Sequence, residues 1–381
     1  MSPTSYRTAP PRDGTASFTT GTVSHLPKSE RMPLGLLASR VPKIHLHCHL
    51  EGTLRPQTFV ELAGKHGVPL RYHRGPAPET PSEPVDAADP YRFKDFREFL
   101  FLFAAVSRSL QDPQDYARLA REFVEDALPQ GVVYGELFIS PSVWTFFNPQ
   151  LDVRATMEAI ASELRAARPN ATFNLLADVT RNFGAGSAMQ TARAVAGMSH
   201  LGVIGIALGG DEARFPARDF TEVFAFARAQ GMHRVAHAGE ADGHHSVRDA
   251  VELLGAERIG HGIRALEDRG VVEMLAERRI ALEICPTSNR LTGAALENRP
   301  HPYLDFERAG CVVIIDADDP ALFGTSIERE YAEVERVAGA SALARYVGNA
   351  IEASFAAPEE KRRMAVQLAA AVAELQPQGR S

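Results

Sequence analysis

From Lys43 onward, short apolar runs alternate with longer stretches whose apolar residues recur every three to four positions. Eight runs stand out: Lys43–Leu50, Val132–Ile139, Phe173–Val179, Val203–Leu208, Arg234–His237, Arg258–Gly260, Ile280–Ile284 and Cys311–Asp316. Between them lie amphipathic stretches such as Gly270–Glu277 and Asp219–Gln230, where Phe220, Val223, Phe224 and Ala227 share one stripe. Strand-like runs alternating with helical ones predict parallel β-α units. Eight such units predict a closed (β/α)8 TIM-type barrel. An open doubly wound sheet would carry a Gly-rich phosphate turn after its first strand, and the sequence has none there.

The first 31 residues contain 17 Ser, Thr, Pro or Gly, too polar a stretch to offset its ordering entropy by burial. Residues 1–33 are therefore expected to be a disordered tail without a signal-peptide pattern, and 34–381 a single barrel domain. Arg74–Pro90 carries five prolines and reads as a surface loop, after which Phe93, Phe96, Phe99, Leu100 and Phe103 recur at helical spacing. Together, residues 74–110 are expected to form a loop and lid insertion.

Charge narrows the partners. Lys+Arg 41 against Asp+Glu 48 leaves −7 over 381 residues, which disfavours a nucleic-acid backbone. No apolar run approaches the roughly 18 residues needed to span a bilayer. Cys48, Cys285 and Cys311 are odd in number and widely spaced, so a reducing, cytoplasmic setting is expected in place of a disulfide framework.

In a barrel, chemistry gathers at the C-terminal ends of the strands. Four of the eight ends carry polar groups: His45-Leu46-His47-Cys48-His49-Leu50-Glu51, His237-Ala238-Gly239-Glu240, His261, and Asp316-Ala317-Asp318-Asp319-Pro320. The period of two places His45, His47, His49 and Glu51 on one face of the first strand. A lone His-x-His is more often a pair of satisfied core rings. Joined by His237 and Asp318 at the same barrel mouth, His47 and His49 become candidate ligands for one zinc or similar divalent ion, with room for a water. Glu240, three residues beyond His237, is a candidate proton donor and otherwise a surface carboxylate capping the next helix. His261 lies between two glycines that free its ring to reach that water. Asp319 is either a partner for a ligand or an N-cap before Pro320. The Phe93–Phe103 stripe, Phe96 included, is core or an apolar wall for a ligand.

These positions, with Leu208-Gly209-Gly210-Asp211-Glu212, Arg258-Ile259-Gly260-His261-Gly262 and Cys285-Pro286-Thr287-Ser288-Asn289, resemble the adenosine deaminase family of zinc-dependent barrel hydrolases over residues 40 to 357. The resemblance implies one zinc per subunit, held by His47, His49, His237 and Asp318. It implies that Glu240 protonates N1 of a purine, His261 orients or deprotonates the attacking water, Asp319 bonds N7, and the Gly210 backbone meets N3. Asp318 would also position the water. His49, Glu51, Gly210, Asp319 and Phe96 are the candidate substrate contacts. The implied reaction removes the 6-amino group of adenosine or 2′-deoxyadenosine, with free adenine or a 5′-modified adenine nucleoside as the alternative. A degenerate purine-binding barrel is the alternative of another class.

Three positions depart from the family pattern. Glu51 stands where deaminases that bind the ribose 5′-hydroxyl usually have Asp, and one methylene is enough to disturb a positioning contact. His45 replaces a residue that is usually acidic, and Ala317 one that commonly bears a hydroxyl. These changes bear on the N9 substituent, since every catalytic group is retained.

Overall fold

All eight runs become parallel strands in the computed structural model, which describes residues 36–72, 83–84, 86–87, 89–295 and 299–375. The tail expected over residues 1–33 and most of the proline-rich stretch lie outside the described residues. The strands are β1 (Lys43–His49), β2 (Val132–Ile139), β3 (Thr172–Asp178), β4 (Val203–Leu208), β5 (His233–Ala238), β6 (Arg258–His261), β7 (Ala281–Ile284) and β8 (Val312–Ile315). They pair in chain order, as a (β/α)8 fold requires. Their ends differ from the apolar runs by a residue or two, because pairing continues through His261 and Ala238, which face each other across β5 and β6.

The barrel closes by other means than a regular ladder. Asp316 Oδ2 accepts from the Leu46 amide at 2.9 Å. A single bridge then joins Cys48 to Asp318, with the His49 amide donating to Asp318 O and the Asp318 amide to His47 O, both at 3.0 Å. Thus a side chain and one bridge replace the ladder at the β8–β1 seam.

Inside the wall, Phe138, Leu176, Ala207 and Val235, one from each of β2 to β5, form a small apolar cluster. The other half of the interior is charged. Arg258 pairs with both Glu136 and Glu283 and lies 3.9 Å from the Phe355 ring centroid, all three charged groups being buried. A buried guanidinium between two carboxylates is tolerable only because each charge is paired; removing one partner leaves the others uncompensated. Outside the wall, apolar faces of the helices pack on the strands, as where Phe123 of helix Pro113–Ala127 meets Phe173 of β3 at 5.0 Å.

Two local features differ from the sequence-based expectation. The β1–β2 register shifts between His45 and Cys48, so alternation along β1 is broken. His45 consequently leaves the face of His47 and His49 and lines a separate cavity of about 280 Å³ beside Phe123, Ala127 and Ile327. In addition, Arg71–Tyr72 and Glu83–Pro84 form a two-residue antiparallel ladder at the margins of the proline-rich stretch. The phenylalanine stripe does form a helix, Phe96–Ser109, started by Asp95, whose side chain accepts from the Glu98 amide at 2.9 Å. Phe99 of this helix stacks on Phe323 at 4.8 Å, tying it to the segment after β8. Among the described residues no helix is long and apolar enough to cross a membrane.

Candidate active site

His47 and His49 end β1, His237 lies near the end of β5, and Asp318 follows β8 by three residues. Strand closure brings them together. His49 Nε2 and His237 Nε2 are 3.1 Å apart, and Asp318 Oδ1 is 3.4 Å from His47 Nε2 and 3.5 Å from His49 Nε2. His261 joins them: one ligand atom each from His47, His237, His261 and Asp318 lies within 4.8 Å of the others. Every one of these residues is buried.

The rings are oriented from behind. His47 Nδ1 bonds Glu283 Oε2 at 2.7 Å, and His237 Nδ1 bonds the Leu208 carbonyl at 3.1 Å. Both bonds place a proton on Nδ1 and aim Nε2 at the cluster. His47 Nε2 has no hydrogen-bond partner. Burial and the neighbouring rings hold His237 well below the usual histidine range, and burial lowers His49 to about 4. These rings are therefore neutral and available as ligands. Burial also works against charge on His47, but Asp318 and Glu283 outweigh it and raise this ring to about 10. The pocket thus favours one positive charge between those two carboxylates. A divalent cation fits this donor set of imidazoles and a carboxylate.

Around the cluster stand carboxyl groups whose proton affinity is raised. Glu240, its side chain 10% exposed, has Oε2 at 3.5 Å from His261 Nε2. Burial, with the charges of Asp318 and Glu212, raises its proton affinity well above the usual carboxyl range. Burial and the adjacent Asp318 do the same for Asp319. Both carboxyl groups are thereby biased toward the protonated, hydrogen-bond-donating form. Asp319 rests against Gly52, where a Cβ would approach its Oδ1 to 1.9 Å, so glycine is required there.

Strain concentrates at the same place. His261 and Asp318 have φ of 61° and 63°, a left-handed conformation uncommon outside glycine and costing on the order of 1–3 kcal/mol each. The Asn289 amide meets His261 Nδ1 at 2.9 Å, and Ser288 Oγ donates to Asp318 Oδ2 at 2.6 Å. Asn289 sets the tautomer of His261. Asn289 Nδ2 donates to Nδ1, which leaves the proton of the neutral ring on Nε2, facing Glu240.

The remaining sequence-predicted residues divide. Glu51 is fully buried in the turn after β1; its Oε1 accepts from Trp144 Nε1 at 2.6 Å and from the Ser140 amide at 2.9 Å, while Oε2 has no partner. Gly210 is half-buried with φ of 97°, and a Cβ there would meet Asn182 Oδ1 at 2.3 Å. Phe96 contacts Phe99 at 6.2 Å, and the ring of this stripe that meets His49 is Phe103, at 6.0 Å. Reasoning from the sequence gave no role to Glu283, Ser288, Asn289, Trp144 or Glu212. A charged residue inside an apolar strand, as in Ala281-Leu282-Glu283-Ile284, was the available signal for the first.

The adenosine deaminase family profile matches residues 42–371. The chain belongs to the adenosine deaminase family. It is 35% identical to an aminodeoxyfutalosine deaminase of Streptomyces avermitilis, over 86% of this chain and 90% of that one. It is also 35% identical to an adenosine deaminase of Shigella dysenteriae, over 88% of this chain and 100% of that one. An adenine deaminase structure from Arthrobacter aurescens superposes with a TM-score of 0.79 at 28% identity, covering 87% of this chain and 99% of that one. The deaminase is accordingly a hydrolase acting on adenine-type compounds, with a metal site in the barrel mouth.

Proposed function

We propose that this deaminase hydrolyses the 6-amino group of an adenine nucleoside, adenosine or 2′-deoxyadenosine, to the 6-oxo product and ammonia, using one zinc ion. The observation that carries the reading is the placement of Glu240 and Asp319 beside the imidazole cluster, where burial and the charge of Asp318 raise the proton affinity of both carboxyl groups. A purine ring presents nitrogens that accept hydrogen bonds, and these acids supply the donors.

His47, His49, His237 and Asp318 would hold the ion. When bound, a divalent ion supplies Lewis acidity, lowering the pKa of water toward neutrality. The chain's own groups do the rest. Glu240 passes its proton toward N1, drawing electron density from C6. His261 orients the attacking water through its Nε2, and the proton that water loses is delivered to the departing amine, which leaves as ammonia. Asp319 donates to N7, and the Gly210 backbone lies against N3. Phe103 and Phe96 offer apolar surface to the base.

Glu51 decides the N9 substituent. Its free, buried Oε2 needs a donor, because such atoms seldom remain unpaired. The ribose 5′-hydroxyl is that donor in this reading. A second reading, with free adenine or a 5′-modified nucleoside as substrate, draws on the other oxygen already being engaged by Trp144 and Ser140. Ammonia release by zinc-replete protein, measured on adenosine, 2′-deoxyadenosine, adenine and 5′-substituted nucleosides, separates the two. Preference for adenosine supports the first reading and preference for the others the second. Silence across the panel would return the chain to a purine-binding role.

A further inference from the structure

Glu212 lies in the segment after β4, 27 residues before the turn that follows β5, and its side chain is buried. Four consecutive amides of that turn converge on its carboxylate. Gly239 donates to Oε1 at 2.5 Å, and Glu240, Ala241 and Asp242 donate to Oε2 at 3.1, 2.9 and 3.0 Å. Successive N–H groups aimed at one point form an anion-binding cup. Here the protein fills the cup with its own side chain. Gly239 permits the curl, with φ of 71° and a Cβ that would meet Val247 Cγ2 at 2.5 Å. On the other side of the turn, Arg181, also buried, donates to the carbonyls of His237 and Phe215.

The residue gripped in the middle of this turn is Glu240. We propose that Glu212 is the positioning residue for the proton donor, fixing the backbone of Gly239–Asp242 so that the Glu240 carboxyl is presented beside His261. The inference rests on the deaminase reading of Glu240. Nothing else in the described structure holds the amides of Glu240, Ala241 and Asp242. The Glu212 charge also raises the proton affinity of Glu240.

Glu212→Gln is nearly isosteric, but its NH2 must face either Gly239 N–H or the other three amides, so at least one donor loses its acceptor. The expected outcome is a fall in kcat of about 10–100-fold, with KM within about threefold and metal content unchanged. Hydrogen exchange at the amides of 239–242 should accelerate while the strands keep their protection. The deciding measurement is the double variant with Glu240→Gln. If Glu212 acts through Glu240, adding Glu212→Gln to Glu240→Gln costs little further activity. Fully multiplicative losses, or wild-type exchange at 239–242, would overturn the proposal. Should Glu212→Gln fail to fold, Glu212→Asp retains the charge but withdraws it by one methylene and is read in the same way. The exchange measurement needs no turnover, so a wild-type protein that releases no ammonia refutes the deaminase reading without deciding whether Glu212 holds the turn.

Discussion

Gly260 in β6 offers a severe test of the metal centre. A Cβ added there would lie 2.7 Å from His47 Cε1 and 3.2 Å from Nδ1, with the His237 Cα at 3.4 Å on the other side. Backbone on that side cannot yield, so the His47 ring must retreat by about 0.7 Å to regain ordinary contact near 3.4 Å. Such a movement strains the 2.7 Å bond to Glu283 that fixes the ring's orientation. Overpacking of this kind costs about 1–3 kcal/mol, and disturbing a ligand's supporting bond lowers metal affinity about 10–100-fold. Gly260→Ala should therefore bind zinc about 10–100-fold more weakly in competition with a chromophoric chelator, with a lower Tm in both the loaded and the stripped protein. Gly64→Ala is the control. That glycine lies in helix Pro56–Lys65 with open space at its Cβ position, and its replacement should stabilise the fold by about 0.4–1 kcal/mol. Wild-type zinc affinity and kcat in Gly260→Ala would show that His47 does not hold the ion.

Further expectations follow from the same geometry. With Glu240 as the proposed acid and its proton affinity raised, kcat/KM should fall as pH rises through its elevated pKa, and Glu240→Gln should abolish that limb of the profile. Burial raises Glu51 from 4.5 to about 7, so its protonated form stabilises the fold below pH 4.5 and that contribution is lost as pH rises through 7; Glu51→Gln should flatten Tm over this window. The same substitution should raise KM for adenosine by about tenfold while leaving turnover of adenine nearly unchanged. Arg258→Met should destabilise the protein by about 3–5 kcal/mol in urea titration by leaving Glu136 and Glu283 buried without their cation, and adding Glu136→Gln should recover part of the loss.

The barrel was legible because its strands are short apolar runs, and the four polar strand ends pointed at the mouth without any structure. Alternation failed at one residue. A register shift in β1 turns His45 away from His47, and sequence periodicity carries no mark of such an irregularity. His45 instead stands 3.2 Å from Asp316, so its unusual identity is met by a carboxylate 271 positions later. Supporting groups were harder to find for the same reason. Glu283, Asn289 and Glu212 act on residues 236, 28 and 27 to 30 positions away, and only folding brings those partners into contact. The left-handed backbone at His261 and Asp318 was equally hidden, since His and Asp adopt a positive φ more readily than most residues but do so at few of their positions.

The seam between β8 and β1 gives the order of assembly a functional meaning. The Leu46 amide and the Asp316 side chain are separated by 270 positions, and bringing such distant segments together costs on the order of 5 kcal/mol in chain entropy. Asp318, at the same junction, is also the carboxylate that faces the histidines of β1. His47, His49 and Asp318 would together hold an ion there, so the proposed metal site draws on the first strand and on the chain just beyond the last, as a clasp on the cylinder. A nascent chain that has not yet placed β8 has neither a closed wall nor a complete site, so in this protein the ability to turn over substrate reports that the barrel has been shut.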